Sequence, residues 1–80
     1  MTMHPSSATY EIRFVIGGRP VSFLVTDPEM CDARVWLHIA RHLNLKTYHD
    51  NGYQLAYHSL EHLVEEQNVS NVSYELCESV

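Results

Sequence analysis

The chain has 80 residues, 45 % of them hydrophobic, and a formal charge of −5 with histidine neutral. That length fits one domain with a modest core. An acidic balance with no basic patch argues against a phosphate-backbone binder, and no apolar run approaches the ~18 residues needed to span a bilayer.

The opening stretch has neither a basic region nor an apolar one, so no secretory signal is read there. Residues 1–8 are expected to be a disordered lead-in, and residues 9–80 a single domain. The expected location is cytoplasmic, where Cys31 and Cys77 would stay reduced.

Tyr10 to Thr26 gives the clearest element. Gly17-Gly18 divides two alternating apolar runs, the signature of a two-residue hairpin. Pairing Ile16 with Arg19 sets Phe14 opposite Val21, Ile12 opposite Phe23 and Tyr10 opposite Val25. All the apolar positions then share one face, which a one-residue slip would break. Glu11, Arg13, Val15, Ser22 and Leu24 form the other face, with Val15 and Leu24 expected at near-diagonal positions. Pro20 cannot donate to a ladder, so the second strand is expected at an edge.

Asp27-Pro28 can open a helix, with Asp27 as cap, although Asp32 is an alternative cap. The helix itself is expected over Ala33–Leu43. Ala33, Trp36, Leu37, Ile39, Ala40 and Leu43 fill its apolar arc. Trp36 is expected to pack over Phe14 and Val21.

The loop that follows is centred on Asn51-Gly52 and carries Tyr48, His49, Asp50 and Tyr53, with the tyrosines expected to cap the core. A second helix is expected from near Ala56 to Gln67, burying Tyr57, Leu60, Leu63 and Val64. The segment Asn71–Glu78 alternates Val72, Tyr74 and Leu76 against Ser73, Glu75 and Cys77, a third strand with one buried face. The sequons at Asn68 and Asn71 read as incidental in a cytoplasmic chain.

The fold expected is α+β, in the order ββααβ. It has a three-stranded sheet of order 2-1-3 and two helices packed on one face. With the helices antiparallel to each other, the third strand would run parallel to the first.

The run from Gly18 to Trp36 resembles a small uncharacterised family of bacterial proteins of similar length. The resemblance lies in Ser22 and Phe23 of the hairpin, the Thr26-Asp27 turn, and Asp32, Ala33 and Trp36 at the helix start. It implies this fold and no particular activity.

Two histidine pairs have the i, i+4 spacing that lets both rings of a helix reach one metal ion: His38 with His42, and His58 with His62. Helical phase turns all four away from the expected apolar arcs, toward solvent. Each pair supplies two ligands where a structural zinc site needs four. Binding of Zn, Ni or Cu is therefore the alternative reading. No serine has a nucleophile motif around it, and Gly17-Gly18 opens no helix that could cradle phosphate. Catalytic residues and cofactors are expected to be absent.

The leading expectation is a non-enzymatic interaction or regulatory module that binds a protein partner or forms a homodimer, with no role for nucleic acid or membrane. Its candidate contacts are Val15 and Leu24 on the open sheet face, with Glu61 and Glu65 of the acidic second helix as a rim.

Overall fold

The computed structural model describes residues 8–77. The elements run β1 (Ala8–Ile16), β2 (Arg19–Asp27), α1 (Asp32–His42), α2 (Tyr57–Glu65) and β3 (Val69–Cys77). The lead-in expected over 1–8 lies outside the described residues, except for Ala8, which opens β1.

The hairpin forms in the expected register, with Ile16 opposite Arg19, Phe14 opposite Val21, Ile12 opposite Phe23 and Tyr10 opposite Val25. Gly17 and Gly18 have φ of 57° and 83°. Positive φ at both central residues is what a type I′ turn requires, and its twist matches that of the strands. The sheet order is β2-β1-β3, so Pro20 does lie on an edge strand.

β3 pairs antiparallel to β1, not parallel as the element order suggested. The cause is the connection between the helices. Asn44 has φ 61°, Leu45 N–H donates to the Ala40 carbonyl at 2.9 Å, and Asn44 N–H donates to Arg41 at 3.0 Å. This is a Schellman closure, and it turns the chain sharply out of α1. Residues 47–55 then fold back on themselves through a Tyr48–Gln54 bridge and bonds between His49 and Tyr53 and between Leu55 and Thr47. The loop returns the chain to the start of α1, where the Tyr57 hydroxyl meets Arg34 at 3.4 Å. The two helices thus start side by side. α2 ends near the hairpin turn, where Gly17 N–H donates to the Asn68 carbonyl. From there β3 can only run back down β1.

The core lies between sheet and helices: Ile12 and Phe14 from β1, Val35, Leu37, Ile39 and Ala40 from α1, Leu60 and Val64 from α2, and Val69. α1 buries two faces, not one. Asp32 accepts from the Tyr74 hydroxyl of β3, and His42 stacks on Phe23 of β2, so the line through residues 32, 35, 39 and 42 faces the sheet. Leu37 and Ala40, on a different line, are also buried.

Trp36 packs against the core cluster that contains Phe14, and its exposed side lies toward β3 and α2. It lines a groove of about 420 Å³ between α1 and β3 with Val35, Val72 and Tyr74, and a second between α1 and α2 with Tyr57 and Glu61. The ring from α1 that meets Phe14 is His42.

Candidate interaction surface

Both helices cover the face bearing Ile12 and Phe14, which leaves the other face of the sheet open. Four rows cross it: Thr26–Thr9–Cys77, then Leu24–Glu11–Glu75, then Ser22–Arg13–Ser73, then Pro20–Val15–Ser70. Glu11 and Glu75 sit opposite each other, and Arg13 bridges them at 2.7 and 3.1 Å. Hydrogen bonding and charge attraction from Glu11, with the charge of Glu75 beside it, raise the Arg13 pKa further.

Leu24 is 65 % exposed. Val15 is half-buried and lies two rows from Leu24, with Ser22 and Arg13 between them, so the two are not near-diagonal neighbours. Glu61 and Glu65 stand on α2, in the layer on the other side of the sheet. The four candidate contact residues therefore do not share one surface. What the open face presents is Leu24 beside a charged ladder at one end and the Pro20–Val15 pair at the other, with Leu24 its exposed large apolar side chain.

The two sheet edges differ. β3 has an irregularity opposite Arg13–Val15, where Asn71 adopts φ 53°. This is a bulge, and it twists an edge away from further pairing. β2 pairs with β1 along all nine of its residues without interruption. From Pro20 to Thr26 it carries no charged side chain.

The hairpin turn fixes which backbone groups of β2 are free. In a two-residue hairpin the flanking pair, Ile16–Arg19, is hydrogen-bonded, and bonded and non-bonded pairs alternate from there. Pro20, Ser22, Leu24 and Thr26 occupy the non-bonded positions, so their backbone groups point away from β1. Pro20 costs the ladder nothing for this reason.

The histidines divide. His58 and His62 are exposed on α2, their rings 6.1 Å apart, as the helical phase of α2 predicted. His38 does not face solvent, whereas His42 is exposed as expected and still packs one face of its ring on the sheet. His42 stacks on Phe23 with centroids 4.1 Å apart and planes 8° apart. His38 is 12 % exposed and places Nε2 2.7 Å from Oδ2 of Asp27. Among the described residues, no group of three or more His, Cys, Asp or Glu side chains is placed to hold a metal ion.

Asp27 and Asp32 were the alternative caps of the helix, and neither is the cap: Asp32 is the first residue of α1. Asp27 closes β2 instead, at 1 % exposure, while Cys31 stands at the N-cap with no side-chain bond. The Asp27 carboxylate accepts from Glu29 N–H at 2.8 Å, Arg34 Nε at 2.7 Å and His38 Nε2 at 2.7 Å. Burial alone would raise this carboxyl, but the bonds from His38, Glu29 and Arg34 outweigh burial and hold it at about 2. The group ties β2 to α1 and, through Arg34 and Tyr57, to α2. An Asp–His pair can orient an imidazole as a general base. Here Asp27 is the side-chain partner of His38 among the described residues, and no hydroxyl or thiol is bonded to the ring. The arrangement acts as a clamp. Spacing that fitted a metal pair concealed it, because Asp27 and His38 come from different elements.

The loop tyrosines do not cap the core, since Tyr48 is 47 % and Tyr53 72 % exposed. No helix among the described residues is long and apolar enough to cross a membrane. No family model, curated protein or solved structure matches the chain, and the resemblance of Gly18–Trp36 therefore adds no family assignment.

Proposed function

We propose that this chain is a small, non-enzymatic interaction module that binds a protein partner through the β2 edge of its sheet and the open face beside it. The observation that carries this reading is Leu24. It is large, apolar and 65 % exposed, within the uncharged stretch Pro20–Thr26 of an edge strand that pairs with β1 without a bulge. Natural edge strands are usually guarded by charges, bulges or short length. β3 has its bulge, and β2 between Pro20 and Thr26 has only the proline. An unguarded edge offers main-chain donors and acceptors to an incoming strand, and side chains beside it supply selectivity.

The acidic residues of α2 lie on the other layer, where they favour encounter with a basic partner without entering the contact. The module is expected to work inside the cell, in a regulatory role. The test is affinity capture from the native cell with the wild type and a Leu24→Lys variant. The wild type should retain a partner that the variant loses. Equal capture by both would remove the β2 edge from the reading.

A further inference from the structure

We infer that the partner of the β2 edge is a second copy of the same chain, paired antiparallel about a two-fold axis at Leu24. This rests on the interaction reading above and specifies the partner.

The inference comes from the strand's own symmetry. The outward-facing backbone groups belong to Ser22, Leu24 and Thr26, with Pro20 lacking a donor. An isologous antiparallel contact sets residue i against residue j and j against i. Centring the axis on Leu24 puts Leu24 opposite Leu24 and Ser22 opposite Thr26, twice. All these residues point their N–H and C=O groups across the new junction, so every group in the three pairs finds a partner. Pro20 falls outside them and costs no bond. Centring on Phe23 instead would set Pro20 against Thr26 and leave one carbonyl of that pair without its donor.

Side chains agree with the Leu24 register. The two Leu24 side chains meet on the open face, each covering the other's exposed surface. Ser22 and Thr26 place hydroxyl beside hydroxyl, a favourable cross-strand pair. Arg19 comes level with Glu29 of the other copy, joining opposite charges on either side of three bonded pairs that carry none. Both residues are exposed. An axis normal to the sheet keeps the helices of both copies on one side and yields a continuous six-stranded sheet.

The experiment is light scattering across a concentration series from 1 µM to 1 mM, for the wild type and two variants. The wild type should rise toward twice the monomer mass. Leu24→Pro removes the outward donor at a position that gives no bond to β1. It should remain folded by circular dichroism and stay monomeric. Leu76→Lys alters an exposed leucine on β3 and should dimerise like the wild type. Amide exchange supplies the register: Ser22, Leu24 and Thr26 should slow at least tenfold between dilute and concentrated samples. A wild type that stays monomeric throughout overturns the inference, as does a folded Leu24→Pro variant that still dimerises. A monomeric wild type whose native-cell partner is lost on Leu24→Lys overturns the self-pairing and leaves the interaction reading standing. Failure of both measurements removes both.

Discussion

Among the described residues Asp27 alone is a buried charge, and three donors converge on it. Its carboxyl is held at about 2, against an ordinary 3.8. A carboxyl depressed by folding stabilises the folded state above its unfolded value and loses that contribution as pH falls toward the folded value. The depression corresponds to roughly 2 kcal/mol. Asp27→Asn should therefore be less stable than the wild type at pH 7 by at least that amount, and the gap should shrink as pH falls from 4 to 2. Urea unfolding followed by the fluorescence of Trp36, the chain's single tryptophan, reads this directly. A gap that does not change with pH would mean that Asp27 contributes through shape and not through its charge. Nothing local in the sequence distinguishes this aspartate, because Arg34 and His38 reach it only once α1 lies across the end of β2.

At the scale of elements, the hairpin was legible because its two apolar alternations specify one register through two glycines. The face of α1 was legible only in part. Periodicity finds one apolar arc per helix, but α1 is buried on a sheet-facing line and again at Leu37 and Ala40. Val35 and His42 belong to the sheet-facing line, of which periodicity caught only Ile39. The stack of His42 on Phe23 should show a coupling of about 0.5–1 kcal/mol in a double-mutant cycle with alanine at each position. Strict additivity would mean that the rings are neighbours without mutual stabilisation. The two sequons also have a backbone explanation. Asn68 and Asn71 have φ of 66° and 53°, one in the turn after α2 and the other at the bulge in β3. Asparagine tolerates this left-handed region better than other residues with a side chain. Asn71→Gly should keep full stability, and Asn71→Val should lose about 1 kcal/mol in the same urea assay.

For the whole molecule, strand order followed from Pro20 and from the apolar character of β1, whereas strand direction did not. Direction depends on where the loop between the helices delivers the chain, and the doubled-back segment 47–55 leaves no periodic trace in the sequence. The core follows the same division. Leu60 is fully buried and belongs to the cluster that joins α2 to the sheet, so Leu60→Ala should cost about 3 kcal/mol. Trp36 is half-buried at the groove between α1 and β3, and Trp36→Ala should cost less than Leu60→Ala when both are measured by thermal unfolding. The reverse order would place the centre of packing at that groove.

The central strand also has a consequence for how the molecule assembles in time. β1 meets one neighbour across two glycines, but its other neighbour arrives only after both helices, with Thr9 opposite Cys77. A hairpin forms in about 1–10 µs, whereas distant pairing must first close the chain between the partners. During that interval β1 itself is an edge, and the side chains flanking its unpaired groups are Glu11 and Arg13. Those charges suit a strand that waits: they discourage intermolecular pairing before β3 docks, and become a ladder with Glu75 once it has. β2 carries no such guard, so the edge protected during folding and the edge left available afterwards are different strands.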